Sequence, residues 1–220
     1  MLVSVKDLTR RYAGQNRDVL SGASFELARG ESVALTGDSG SGKSTVLHLL
    51  AALDRPDSGQ ILFGGRDISR LSDPAASELR RGRIALVFQQ FNLVPALNVA
   101  DNISLHARLG QQFDPQWADT LVSHLGLSDL LERYPDQISG GQQQRVAIAR
   151  SLALRPDLLL ADEPTGNLDE TASAEVLRLM LDLVNRTGCA LFLVTHSPEI
   201  AAQCDRHLHL SGGQVRPAGS

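Results

Sequence analysis

The sequence predicts an α/β protein with a mostly parallel sheet and a helical subdomain inserted into it. Three observations carry that prediction. Short apolar runs alternate with helix-period segments toward both ends of the chain, the pattern of strands joined by crossover helices. The run Ser32-Val33-Ala34-Leu35-Thr36 feeds the loop Gly37-Asp38-Ser39-Gly40-Ser41-Gly42-Lys43-Ser44, and an apolar helix follows. Between residues 91 and 155 only helical periodicity is found, with no strand-like run.

Each element has its own reason. Residues 2–5, 24–27 and 32–36 are short runs rich in β-branched and apolar residues, separated by turn-rich pieces such as 13–16. The helix after the glycine loop is expected over 44–52. Arg55-Pro56-Asp57-Ser58-Gly59 reads as a turn, with a strand over 60–63, a polar helix over 73–81 and a buried strand over 84–88. Segments 99–109, 116–125 and 127–131 carry apolar residues at helical spacing. Residues 138–145 read as a polar, glycine-rich turn entering a helix over 146–154. A strand at 158–161, a long helix at 170–186, a buried strand at 190–195 and a last or edge strand at 207–210 complete the chain, and the tail 217–220 is expected to be disordered. This places a helical subdomain at 91–155 within a body formed by 1–90 and 156–220. Ligands of such a sheet bind beyond the carboxyl ends of its strands.

Composition narrows the function. At 220 residues with 42% apolar residues, the chain suits one large domain with a sizeable core. A net charge of −4 provides no general attraction for nucleic acid, and no basic face is evident. No apolar run reaches the length of a membrane span and the first residues lack a signal-peptide pattern. A soluble, cytosolic domain is therefore expected, unless a partner holds it at a membrane. Cys189 and Cys204 lack metal-ligand spacing and are expected to be buried free thiols. Of 21 basic residues only Lys6 and Lys43 are lysine, and Lys43 lies in the glycine loop, where a compact ammonium suits phosphate.

The pattern strand, Gly-x-x-x-x-Gly-Lys-Ser, helix binds nucleotide phosphates. Glycines let the backbone wrap an anion and the helix start adds partial positive charge. Lys43 should reach the β- and γ-phosphates, Ser44 should ligate Mg²⁺, and Thr45 can reach the α-phosphate. The run Leu158-Leu159-Leu160-Ala161 ends on Asp162 and Glu163. Asp162 is placed to hold Mg²⁺ and Glu163 to orient or deprotonate an attacking water. His196 ends the strand 190–195 and should point at the γ-phosphate; the other five histidines read as structural. Gln89, or its neighbour Gln90, ends another strand and could bind Mg²⁺ or the water through its amide. A second anion-binding helix start, at Ser139-Gly140-Gly141-Gln142, has no ligand within this arrangement.

With these motifs in place, the chain resembles the nucleotide-binding subunit of an ATP-binding cassette (ABC) transporter over essentially its whole length. Gly37 to Thr45 match the Walker A motif, Gln89 the Q-loop, Ile138 to Gln142 the signature, and Leu158 to Asp162 the Walker B motif. Glu163 matches the catalytic acid, Asn167-Leu168-Asp169 the D-loop, and His196 the H-switch. Tyr12 matches the aromatic residue that stacks on adenine. The stretches Leu53 to Gly59, Phe88 to Pro95 and Asp162 to Asp169 are similar to the LolD/MacB-type branch, which includes lipoprotein-releasing, macrolide- and peptide-exporting, and cell-division ATPases. The departures are mild: Asp38 stands where proline is common, Ile138 replaces the usual leucine, and Asn98 stands where threonine is frequent.

The resemblance implies a P-loop NTPase core, an antiparallel β subdomain, and ATP with Mg²⁺ as cofactors. It implies catalytic roles for Glu163, His196 and Gln89, and metal contacts from Ser44, Gln89 and Asp162. Nucleotide contacts come from Tyr12, Gly37, Ser39, Gly40, Gly42, Lys43, Ser44 and Thr45. It further implies a head-to-tail dimer in which Ser139, Gly141 and Gln142 of one copy contact the γ-phosphate held by the other, with Asp169 linking the two sites. A separate transmembrane permease should dock near Gln89, Phe91 and Leu93 to Val99, on the cytoplasmic face of the inner membrane, with a periplasmic adaptor as a further component. Two readings stay open: a transport motor for a hydrophobic substrate, and a cell-division-type ATPase that signals through its membrane partner. Nucleic acid is not an expected partner.

Overall fold

A computed structural model describes residues 1–14 and 17–218; Gln15 and Asn16 of the expected turn, and the last two residues, lie outside it. The chain begins with β1 (Val3–Arg10), β2 (Leu20–Leu27) and β3 (Ser32–Thr36), then α1 (Lys43–Leu50), β4 (Ser58–Phe63), β5 (Arg66–Asp67), α2 (Asp73–Gly82) and β6 (Ile84–Val87). A helical stretch follows with α3 (Val99–Leu109), α4 (Pro115–His124), two 3₁₀ turns (Ser128–Leu130 and Pro135–Gln137) and α5 (Gly140–Leu152). The chain closes with β7 (Leu158–Asp162), α6 (Glu170–Thr187), β8 (Ala190–Val194), α7 (Pro198–Ala201), β9 (Arg206–Ser211) and β10 (Gln214–Pro217).

The strands form two sheets. One is antiparallel, in the order β2-β1-β4-β5. The other runs β10-β9-β3-β8-β7-β6 and is parallel except at its β10 edge. Strands β3 and β8 are buried at every residue, which is why they read as continuous apolar runs: a parallel sheet is covered on both faces. One core cluster joins the antiparallel sheet, α1 and one face of the parallel sheet; Leu35, Leu47, Phe63 and Phe192 are fully or almost fully buried in it. The other joins α3, α4, α5 and α6 to the opposite face through Ile103, Leu121, Ile148 and Met180. The alternation of residues along β7 divides it between the two: Leu158 and Leu160 fall in the first cluster, Leu159 and Ala161 in the second.

The helix boundaries follow from capping. Asn98 accepts from the Asp101 N–H at 2.8 Å and starts α3, so this departure from the family's threonine is an N-cap. Asp114 and Asp169 cap α4 and α6 in the same way, and Gly188 at φ 67° ends α6.

The structure also differs from expectation. Helix α5 begins at Gly140 with Ser139 as its N-cap, so residues 140–145 are already helix and not a turn before one. The glycine pair argues against helix by propensity, but Ser139 and Gln142 form a reciprocal capping box that starts it regardless. Pro217 belongs to β10, opposite Leu208, instead of to a disordered tail. Strands β1 and β2 run several residues beyond the expected 2–5 and 24–27.

Candidate active site

Because β3, β6, β7 and β8 are parallel, their carboxyl ends lie on one side of the sheet. The phosphate loop follows β3, Gln89 follows β6, Asp162 ends β7 with Glu163 next to it, and His196 follows β8. A cleft of about 550 Å³ is lined by Tyr12, Val19, Ser39, Gly40, Gly42, Lys43, Ser44, Thr45, Gln89, Glu163 and His196. Gln90 is not part of the lining, which separates it from Gln89.

The loop's shape depends on its glycines. A Cβ on Gly37 would sit 2.5 Å from the Leu210 carbonyl oxygen of β9, and one on Gly42 (φ 106°) would sit 2.6 Å from Val19 Cγ1. Either would force backbone or core to move. Lys43 is buried, and its ammonium donates to the carbonyls of Gly37 and Asp38 at 2.8 and 2.9 Å. Those two bonds arch the loop over the lysine and keep its ammonium within the loop. Asp38 offers this carbonyl while its side chain is exposed and outside the cleft lining. Thus the acid in place of proline does not face the phosphates.

The acid end is equally ordered. Ser44 Oγ donates to Asp162 Oδ1 at 3.3 Å. Burial pushes the Asp162 carboxyl up, opposed by the Ser44 hydrogen bond and by the nearby His48 and Lys43. A half-buried carboxylate beside a hydroxyl is a hard-oxygen donor set that fits Mg²⁺. Glu163 adopts φ 45°, a left-handed conformation unusual for a side chain this long. Its N–H bonds the Val194 carbonyl at 2.9 Å and its carbonyl accepts from Gly166 at 3.0 Å, which fixes the turn and aims the side chain. Glu163 Oε2 lies 2.7 Å from His196 Nδ1. Gln89 donates from Nε2 to Asn167 Oδ1 at 3.1 Å, and Asn167 Nδ2 donates to the Gln89 carbonyl at 3.0 Å. Neither sequence spacing nor composition indicated that pairing, which spans 78 positions.

Five expected nucleotide contacts do not line this cleft: Gly37, at the start of the glycine loop, and Ser139, Gly141, Gln142 and Asp169, which lie outside that loop. Ser139 and Asp169 are exposed, Gly141 and Gln142 half-buried. Ser139 accepts from the Gln142 N–H at 3.3 Å, and Gln142 Oε1 accepts from the Ser139 N–H at 2.8 Å. The apolar loop after Gln89 is partly used by the chain itself: Leu93 packs on the core, and the buried Asn102 side chain bonds Val94 and Leu97. A second cavity, of about 630 Å³, opens beside that loop between Phe88, Asn92, Leu53, Arg81, Leu109 and Arg150.

Cys189 and Cys204 are both free; Cys189 is buried as expected, whereas Cys204 is only half-buried, and desolvation raises the two thiols to about 12 and about 11. Neither lines the nucleotide cleft. Among the described residues no helix is long and apolar enough to cross a membrane.

A glycine loop around a lysine, followed by an acid pair and a histidine on parallel strand ends, defines a P-loop enzyme that hydrolyses a nucleoside triphosphate. The family model described as ABC transporter matches residues 20–166, and the chain belongs to that family. It is 43% identical over 219 residues to the lipoprotein-releasing system ATP-binding protein LolD of Geobacter metallireducens, covering 97% of each chain. It is 40% identical over 223 residues to the macrolide export ATP-binding/permease protein MacB of Syntrophobacter fumaroxidans, covering 98% of this chain and 31% of that one. Its fold matches the dimeric ATP-binding cassette MJ0796 in a post-hydrolysis state bound to ADP and Pi, at a TM-score of 0.87 and 32% identity over the whole of both chains. The protein is thus an ABC-type ATPase of the kind that serves LolD- and MacB-like transporter systems.

Proposed function

We propose that the chain is the motor subunit of a LolD/MacB-type transporter. Two copies close on two ATP molecules, and closure drives a separate membrane subunit to export or extract a hydrophobic substrate: a lipoprotein, lipid, peptide or drug. The observation that carries the reading is the 2.7 Å pair of Glu163 and His196 facing the phosphate loop in one cleft, with the signature helix start left outside it.

Within the cleft, Tyr12 stacks on adenine. Backbone N–H groups of the loop around Gly37, Ser39, Gly40 and Gly42 surround the phosphates. Lys43 turns from the two carbonyls it now holds toward the β- and γ-phosphates, and Thr45 reaches the α-phosphate. Ser44, Asp162 and Gln89 supply oxygens for Mg²⁺, which when bound offsets phosphate charge. Glu163 accepts a proton from the attacking water, and His196 keeps that carboxylate aligned with the γ-phosphate. The cleft has no second anion-binding loop of its own. Ser139, Gly141 and Gln142 of a second copy complete it, and Asp169 contacts the neighbouring site. Loss of the γ-phosphate removes the link between copies, which makes the dimer a two-state element driven by hydrolysis.

The membrane subunit docks in the cavity beside Phe88 and Asn92. Apolar walls support this. So does its charge: Arg80, Arg81 and Arg150 line it and no carboxylate does. Docking there places the protein peripherally on the cytoplasmic face of the membrane. The decisive test is Glu163→Gln assayed with the membrane subunit. The variant should bind ATP, remain dimeric on size exclusion with ATP, and show no turnover. A normal rate would refute the role given to Glu163.

A further inference from the structure

The turn Leu53 to Gly59 has no part in the chemistry above, yet it clasps the chain that leads into the nucleotide cleft. Arg10, the last residue of β1, donates from Nε to Asp54 Oδ2 at 3.0 Å and from Nη2 to Asp54 Oδ1 at 2.8 Å. This is the two-pronged geometry that fixes a guanidinium plane. Its Nη1 reaches Asp57 Oδ1 at 3.2 Å, and the next backbone N–H, of Arg11, donates to Asp57 Oδ2 at 2.7 Å. The guanidinium carbon lies 4.7 Å from the centroid of the Tyr12 ring. The Tyr12 hydroxyl donates to Asp54 Oδ2 at 3.0 Å and lies 3.4 Å from Thr45 Oγ1 on α1. One carboxylate therefore holds both the cation and the phenol, and the phenol also touches the first turn of the phosphate-binding helix.

We propose that Arg10 is a positioning residue for nucleotide binding: locked by Asp54, it covers one face of Tyr12 and leaves the ring, at the edge of the cleft, as a preset platform for a purine base. The inference rests on the reading of Tyr12 as the base-stacking residue. A free tyrosine would have to be ordered when the base arrives, and that ordering opposes binding; a ring already held by a cation and a hydrogen bond avoids the cost. The cation also polarises the ring it covers. Because the Tyr12 hydroxyl is committed to Asp54 and Thr45, it does not read the edge of the base. The platform therefore recognises a flat aromatic base and does not distinguish adenine from guanine.

The test is calorimetric titration of the whole chain with ATP, GTP and inorganic tripolyphosphate, alongside steady-state kinetics. Arg10→Ala should weaken ATP and GTP alike, by about three- to tenfold, and leave tripolyphosphate affinity unchanged. The loss should fall on KM rather than kcat. Arg10→Lys, which keeps the charge but not the planar fork, should recover part of it. Asp54→Asn, which keeps the shape of the clamp, should give the same pattern with a smaller amplitude. An equal loss for tripolyphosphate would mean that the phosphate loop itself had been disturbed and would overturn the positioning role. If Tyr12→Ala weakens ATP but Arg10→Ala does not, the inference falls and the stacking role of Tyr12 stands. If Tyr12→Ala leaves ATP affinity as it was, the underlying reading falls.

Discussion

Two helices of this protein have glycines at or beside their starts and no acid in their first turns, and they treat their N-terminal N–H groups in opposite ways. Helix α1 starts from Gly42, which has no side chain to cap it, so its first donors have no side-chain acceptor at the N-cap. Helix α5 starts from Ser139, whose hydroxyl accepts from Gln142 while Gln142 reaches back to Ser139. The first turn is left open to an anion in its own cleft. The second closes on itself and lies at the surface. An uncapped helix start costs stability until a ligand arrives, which is tolerable where the ligand is ATP and Lys43 waits beside it. A self-capped start is stable alone and, in the dimer proposed above, would engage phosphate only when another surface brings it. On that proposal the difference separates what one chain does by itself from what needs two.

The most damaging change to the open side is Lys43→Ala, which should abolish measurable nucleotide binding by calorimetry; retained affinity would break the assignment of the cradle. Next is Ser139→Asp. Aspartate caps a helix as well as serine does, so the thermal midpoint should stay within a few degrees, while its charge meets the γ-phosphate of the other copy. ATP-driven dimerisation, read by size exclusion, should be lost with monomer ATP affinity intact. Ser139→Ala is milder. It removes a cap of about 1 kcal/mol, lowering the midpoint by about 2–4 °C for a chain of this size, and weakens dimerisation without adding repulsion. Equal effects of the aspartate and alanine variants would collapse the distinction between capping and phosphate contact.

The smallest expected effect lies on α3, at His106, near Arg150 toward the far end of α5. Burial first, and then the nearby Arg150, lowers His106 from its usual range to about 4. The unfolded chain thus binds a proton between about 6.5 and 4 that the folded one excludes, so this contribution to stability is lost as pH falls through that window. In His106→Gln the decline of the thermal midpoint over the same range should be shallower. An unchanged slope would show that His106 titrates alike in the folded and unfolded chain and is not held neutral by the fold.

Local signals carried most of this architecture. The phosphate loop, Asp162, Glu163 and His196 each sit where an apolar run stops, and a buried parallel strand advertises both its existence and its end. The start of α5 was readable as well, in the spacing of Ser139 and Gln142, although Gly140 and Gly141 obscured it. Other features rest on contacts between distant residues that no periodicity encodes. Arg10 meets Asp54 across 44 positions, and Gln89 meets Asn167 across 78. The late strand β10 is short and mostly exposed, so it lacks the apolar alternation that identifies a half-buried strand.

The paired amides of Gln89 and Asn167 act as a latch. While the Gln89 side chain donates to Asn167 Oδ1 and the Asn167 side chain to the Gln89 backbone carbonyl, the Gln89 amide nitrogen is spoken for, and the loops after β6 and before α6 are tied together. Reorienting Gln89 toward a bound nucleotide means giving up its bond to Asn167, two residues before Asp169. In the proposed dimer, a single rotation of one neutral side chain would therefore loosen the segment that leads to Asp169, and an empty cleft would leave it tied.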